Sequence, residues 1–147
     1  MRAALDALAA RSAARCVQQS GSKTVQPAAE QLLREGRAAA ESNDTRALVR
    51  MDMAFHQFIY ALSGNPVIAQ TTALHWHHIR RTMSSILQHD VRTFDGVWDE
   101  HQAIIDAILA GDEDQAASMA QQHAESAAEH LARILEGSEH ASKLKQA

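Results

Sequence analysis

The sequence contains few residues that interrupt helices, and it lacks disulfide pairs and membrane-spanning runs. Its 147 residues include two prolines, six glycines and one cysteine, and aromatic side chains make up 4%. The single Cys16 excludes a disulfide within the chain. No apolar run approaches the roughly 20 residues that cross a bilayer, and the N-terminus lacks the apolar core of a signal peptide. These absences predict a soluble protein of the cytoplasm.

The chain also lacks an excess of basic residues. It has 14 Lys and Arg against 18 Asp and Glu, which gives a net charge of −4, and its pI is about 6.1. Because no basic stripe or arm is present, we do not expect these residues themselves to bind nucleic acid. The abundant residue is alanine, the strongest helix former, at 29 positions. Length and composition together predict one helical domain.

Helical periodicity and capping residues divide the chain into about six helices. Pro27 suits a first helical turn, Asp112 suits an N-cap, and Gly64 suits a left-handed C-terminal turn. The predicted helices cover about 3–18, 25–41, 45–62, 66–88, 97–109 and 113–136, followed by a polar tail over 137–147. We therefore expect an all-α antiparallel bundle, with residues 1–136 as the domain.

Two polar residues interrupt the apolar stripe of the third predicted helix. In the segment MDMAFHQFIYALSGNP, residues 51–66, Asp52 and His56 share a helix face with Ile59. They lie four residues apart, about one turn, so both side chains can hold one ion from the same side. The alternative is a buried ion pair between the two without a metal ion.

Two histidines on the last two helices lie at the same level of a predicted hairpin. His101 comes ten residues before Gly111, and His123 comes twelve residues after it. At ~1.5 Å per residue, both lie roughly 15–18 Å from the turn, each on the apolar face of its helix. Three imidazoles and one carboxylate can bind Zn²⁺, Ni²⁺ or Mn²⁺. The predicted metal ligands are Asp52, His56, His101 and His123.

Two arginines in the fourth predicted helix are candidate effector contacts. Arg80 and Arg81 could clamp a ligand carboxylate beside the metal, and Arg81 shares its face with His78 and Ser85. The alternative is that this part of the helix is a solvated surface. The predicted effector-binding residues are therefore Arg81, Arg80, His78 and Ser85.

Three segments resemble the FCD family, the FadR-type C-terminal effector domain of GntR-type bacterial transcription regulators. They are LDALAARSAAR near the start, the segment over 51–66, and EHQAIIDAILAGDEDQAASMAQQH over 100–123. The resemblance spans about residues 3–135 and implies an all-α bundle that encloses a small-molecule cavity. In the family's metal-binding branch, one Asp and three His hold a divalent ion. Those positions match the same four ligands reached from helix geometry.

The resemblance implies a metal-dependent sensor of a small carboxylate effector, in a homodimeric regulator. The family's DNA-binding winged helix-turn-helix does not appear in these residues, so DNA binding is expected only through a separate N-terminal domain. We do not expect an enzyme, since no separate general base is evident: Glu100 adjoins His101 but points about 100° away from it. The alternatives are a dimerisation module with a structural metal and, less favoured, a metal-dependent hydrolase.

Overall fold

The structure is a computed structural model that describes residues 2–42, 44–73, 76, 80 and 96–144. These residues form α-helices and contain no β-strand. The helices are α1 (Arg2–Ser20), α2 (Gln26–Glu41), α3 (Thr45–Leu62), α4 (66–73, with Trp76 and Arg80 also helical), α5 (Val97–Leu109) and α6 (Glu113–Leu144), and a short 3-10 helix, Ser22–Thr24, precedes α2. The predicted all-α helical bundle is confirmed.

Local capping sets the limits of α3, which carries half of the predicted metal ligands. The Asp44 carboxylate accepts hydrogen bonds from the backbone N–H groups of Arg46 and Ala47, so it satisfies donors that a helix N-terminus otherwise leaves free. At the other end Gly64 has φ +67°, the left-handed conformation that glycine adopts without strain. The predicted start and stop of this helix are thus confirmed.

Helices α5 and α6 form a tight hairpin. Gly111 turns the chain with φ +71°, and the Asp112 side chain accepts from the backbone N–H of Gln115 at 3.0 Å. Helix α6 then continues to Leu144, eight residues beyond the predicted end at 136. The predicted helix end was wrong because the polar segment over 137–147 was taken for a tail. A glycine within a long helix costs only about 1 kcal/mol, which the flanking turns tolerate.

Helix α1 lies at the centre of the bundle, packed against α6, α3 and α5. Ala9, Ala10, Ala13 and Ala14 are fully buried along it. Because alanine ends at Cβ, this face allows neighbouring helices to approach closely. Among the described residues, the largest fully buried side chains are Phe55, Leu48, Ile104, Ile105, Ile108 and His101. A histidine in this set is unusual, since buried polar groups need partners.

A second close approach fixes α2 against α5. Gly36 lies under the Trp98 ring, and a Cβ at this position would come within 2.0 Å of the ring carbons. Trp98 in turn packs edge-on against His101, with ring centroids 4.7 Å apart. The absence of a side chain at Gly36 therefore helps to place an aromatic wall of the candidate site.

Candidate metal centre

Three helices bring the four predicted metal ligands into one buried cluster. Asp52 and His56 come from α3, His101 from α5 and His123 from α6. All four side chains are buried, and each offers one ligand atom within 4.8 Å of the others. His101 and His123 were predicted to lie at the same distance from the hairpin turn. In the structure their rings are adjacent, with centroids 4.8 Å apart.

The ligand atoms of this cluster face one another. His101 Nε2 lies 3.3 Å from His123 Nε2 and 3.5 Å from Asp52 Oδ1. His56 Nε2 lies 4.0 Å from the same carboxylate oxygen. Two donors that each lie about 2.0–2.2 Å from one ion are at most about 4.4 Å apart. These three separations lie within that limit, and all four ligand atoms lie within 4.8 Å of one another.

Buried atoms without partners add to this fit. Among the described residues, Asp52 Oδ2 has no hydrogen-bond partner although it is buried. A buried carboxylate oxygen that is neither hydrogen-bonded nor paired carries a large desolvation cost. A divalent cation bound by this carboxylate would offset that cost. The set of three imidazole nitrogens and one carboxylate oxygen matches the ligand types that Zn²⁺ and similar ions use.

Burial also sets the charge state of the ligands. It lowers the pKa of His56 and His101 well below the usual histidine value, and the nearby Arg2 and His123 lower both further. Both rings are therefore neutral at pH 7, and a neutral imidazole is the form that binds a metal. Burial raises the pKa of the Asp52 carboxyl, while the neighbouring Arg2 and His123 oppose that shift.

Aromatic packing fixes the orientation of the rings. Phe55 stacks on His101, with centroids 3.6 Å apart and planes 11° from parallel. The Trp76 ring lies 5.0 Å from the His56 ring. Because these neighbours restrict ring rotation, the metal-facing nitrogens are held in place by the core itself.

Sequence reasoning missed two residues of α1 that reach the cluster. Arg2 donates from Nη2 to His56 Nε2 at 2.9 Å and from Nε to Asp6 Oδ2 at 3.2 Å. Asp6 also accepts from the Tyr60 hydroxyl at 2.5 Å, and its second oxygen lies 3.8 Å from His56 Nδ1. Burial raises the pKa of Asp6, and Arg2 opposes this shift. The sequence did indicate that Asp6 is buried. It lies on the same helix face as Ala9, Ala10 and Ala13, just as Asp52 lies on the apolar face of α3.

Glu100 is the other residue that the sequence analysis assigned no role. It points away from His101 as expected, but it crosses to α6, where its Oε2 lies 2.6 Å from His123 Nδ1. Metal-binding histidines commonly donate their second ring N–H to a carboxylate in this way. The geometry therefore gives Glu100 a place behind the cluster.

A small cavity adjoins the cluster. It has a volume of about 10 Å³ and is lined by Asp6, Phe55, His56, Ile59, Tyr60, Ile104, Ala120 and His123. This volume is close to the minimum that one water molecule needs. The cavity lies where α1, α3, α5 and α6 meet, so a ligand larger than water requires these helices or their side chains to move.

The predicted effector contacts are only partly described. Arg80 is exposed at the surface of α4. Arg81, His78 and Ser85 lie outside the described residues. Their role in binding an effector stays a prediction.

In a comparison against family models, the FCD domain model matches residues 1–126. The chain belongs to the FCD family. An Escherichia coli (strain K12) protein described as the uncharacterized HTH-type transcriptional regulator YieP is 33% identical over 85 residues, which are 58% of this chain and 35% of that protein. The chain thus aligns with about a third of the length of this curated relative.

Family membership confirms the predicted resemblance and the class of function. The FCD domain is a regulatory domain of transcription regulators that senses an effector, and it is not an enzyme. The hydrolase alternative therefore does not apply. In the part of the chain that the structure describes, we find no helix long and apolar enough to cross a membrane.

Proposed function

We propose that this FCD domain senses a small carboxylate effector through a bound divalent transition metal. The observation that carries the proposal is the buried cluster of four potential ligands on three helices, with Asp52 Oδ2 left without a hydrogen bond among the described residues. The ligands would be Asp52, His56, His101 and His123.

A purely hydrogen-bonded network explains this cluster less well than a metal does. A neutral imidazole has one N–H donor and one acceptor nitrogen. His123 Nδ1 is engaged with Glu100 and His56 Nε2 accepts from Arg2, so neither of these two rings has an N–H group on Nε2. A hydrogen-bonded network leaves Asp52 Oδ2 and His101 Nδ1 without partners among the described residues, whereas one cation would attract the Nε2 lone pairs and the carboxylate together. The same ligand set suits Zn²⁺, Ni²⁺ and Mn²⁺.

Arg2 supports a carboxylate as the effector. Its guanidinium lies against His56 and over the Trp76 ring, 5.0 Å from the ring centroid, with 24% of the side chain exposed. Arg2 and a metal cannot use the same lone pair of His56 Nε2. Metal binding would therefore release an arginine next to the ion, and arginine binds carboxylates by two parallel hydrogen bonds. Arg80, Arg81, His78 and Ser85 remain the predicted contacts on the other side of the ligand.

The output of the sensor would be a change in helix arrangement. The cluster joins α3, α5 and α6, and Arg2 adds α1, so a ligand at the site contacts four helices at once. A switch requires that the effector bind two arrangements with different affinity. We propose a homodimeric regulator of the cytoplasm that contacts DNA through a separate helix-turn-helix domain, as the description of the E. coli relative suggests.

Thermal unfolding tests the proposal directly. Chelator-treated protein would be reloaded with Zn²⁺, Ni²⁺ or Mn²⁺, and then mixed with a panel of sugar acids, hydroxy acids and amino acids. We expect the metal to raise the melting temperature, and one class of carboxylate to raise it further only when metal is present. A carboxylate response that is the same without metal would contradict metal dependence.

A structural metal is the second candidate, and the small cavity favours it. As formed by the described residues, the cavity beside the site has room for about one water and would receive a larger ligand only after rearrangement. In that case the metal would stabilise the fold, no carboxylate would add to the effect, and the domain would serve dimerisation.

A further inference from the structure

We infer that Glu100 is a positioning residue that fixes the tautomer and orientation of His123, so that metal affinity depends on a carboxylate that does not touch the ion. The inference rests on the proposed metal site. Its structural basis is the 2.6 Å contact between Glu100 Oε2 and His123 Nδ1. At this length the imidazole N–H donates to an ionised carboxylate, which is a strong, charge-assisted hydrogen bond.

This bond determines which nitrogen of His123 can bind a metal. With the proton held on Nδ1 by Glu100, the lone pair lies on Nε2. That atom faces the cluster, 3.3 Å from His101 Nε2. The other tautomer would turn an N–H group toward the ion and abolish binding. Glu100 therefore selects the tautomer that binds.

The other two histidines of the cluster lack such a partner among the described residues. His101 Nδ1 is buried without a hydrogen bond. His56 Nδ1 lies 3.8 Å from Asp6 Oδ2, which is beyond hydrogen-bond distance. Of the three histidines, only His123 therefore has a carboxylate at hydrogen-bond distance from its Nδ1 among the described residues. A change at Glu100 should weaken metal affinity although its carboxylate does not contact the ion.

The same pair joins the two helices of the hairpin. Glu100 and His101 are neighbours on α5. His101 would itself be a metal ligand, whereas Glu100 reaches across to α6 and orients His123 there. Glu100 is 51% exposed while His123 is 5% exposed, so the side chain can be replaced without opening the core.

The test compares Glu100→Gln with Glu125→Gln. Glu125 is an exposed residue of α6 whose carboxylate accepts from Gln121, so its replacement removes the same charge close by without touching a ligand. Zn²⁺ affinity would be measured by competition with a chromophoric chelator. We expect about a 10- to 100-fold weaker affinity for Glu100→Gln and less than a twofold change for the control. An affinity of Glu100→Gln within twofold of the unchanged protein would overturn the inference.

A second measurement does not depend on metal. Long-range ¹H–¹⁵N NMR spectra of chelator-treated protein report the tautomer of each histidine. We expect His123 to be protonated on Nδ1 in the unchanged protein and to show a mixture of tautomers in Glu100→Gln. The same spectrum in both would overturn the inference. If the unchanged protein bound no Zn²⁺ at all, the proposed metal site would fail, while the NMR result would still decide whether Glu100 fixes the His123 tautomer.

Discussion

His101 Nε2 and His123 Nε2 lie 3.3 Å apart, on opposite helices of the α5–α6 hairpin and about equally far from its turn. A hydrogen bond between them requires that one neutral ring carry its N–H on Nε2 and that the other accept with its lone pair. Burial keeps the pKa of His101 well below its usual range, so the ring resists protonation. A neutral His101 ring can therefore either donate an Nε2–H to His123 or share a cation with it through the Nε2 lone pair.

Replacing Asp52 by asparagine should have opposite effects with and without metal. In metal-free protein the buried carboxylate costs stability, so Asp52→Asn should be as stable as the unchanged protein or more stable. With Zn²⁺ present, the unchanged protein should be the more stable of the two, because it alone has the full ligand set. Urea denaturation with chelator and with excess Zn²⁺ measures both effects. Equal Zn²⁺ stabilisation of both proteins would argue against Asp52 as a ligand.

Replacing Arg2 by alanine should separate the effector from the metal. The variant should bind Zn²⁺ at least as tightly as the unchanged protein, because Arg2 no longer competes for His56 Nε2. The additional thermal shift caused by a carboxylate should fall by about tenfold in apparent affinity or disappear. Arg34→Ala is the matched control, because Arg34 is an exposed residue with only a 4.0 Å contact to Glu30. A carboxylate response unchanged in Arg2→Ala would exclude Arg2 from the effector site.

Replacing Gly36 by alanine should destabilise the domain. A new Cβ would lie 2.0 Å from the Trp98 ring, so the ring and the aromatic wall of the site must shift. Overpacking of this kind costs about 1–3 kcal/mol. At Gly137, where nothing lies within 4 Å of a new Cβ, the same substitution should stabilise α6 by about 0.5–1 kcal/mol. Chemical denaturation of the two variants should thus give free-energy changes of opposite sign, and a neutral Gly36→Ala would contradict the described packing.

Metal-free protein should lose stability as the pH falls below about 6.5. His56 and His101 have lowered pKa values in the folded state, so the unfolded chain takes up their protons first and is favoured at lower pH. Each such histidine contributes a slope of up to about 1.4 kcal/mol per pH unit. The raised pKa values of Asp52 and Asp6 act in the opposite direction, since their contribution to stability is lost as the pH rises above about 4.

A histidine variant isolates this effect. His101→Gln retains Asp52, Asp6 and His56, so its unfolding free energy should fall less steeply between pH 6.5 and pH 5 than that of the unchanged protein. The slopes are compared rather than the absolute stabilities, because the substitution also changes core packing. Parallel curves for the two proteins would show that His101 titrates normally in the fold.

Much of this site could be predicted because it depends on local geometry. One helical turn separates Asp52 from His56, and a three-residue connection at Gly111 sets the level of His101 against His123. The contacts of Arg2 and Glu100 depend instead on how α1 docks and on how a side chain crosses between helices, which periodicity does not specify. Asp6 could have been predicted from the sequence, because it is a carboxylate on the alanine face of α1, just as Asp52 is a carboxylate on the apolar face of α3. The end of α6 was misplaced because the polar composition of residues 137–147 was taken as the sign of a tail.

The most direct test of the central claim is the metal content of the purified protein, measured by elemental mass spectrometry beside His101→Ala and the control variant His130→Ala. His130 lies on α6 two turns beyond His123 and outside the cluster. The metal-site account predicts about one transition-metal ion per chain in the unchanged protein and in His130→Ala, and a loss of most of it in His101→Ala. No bound metal in any of the three, even after incubation with Zn²⁺, Ni²⁺ or Mn²⁺, would contradict the account and leave the four residues as a buried polar network.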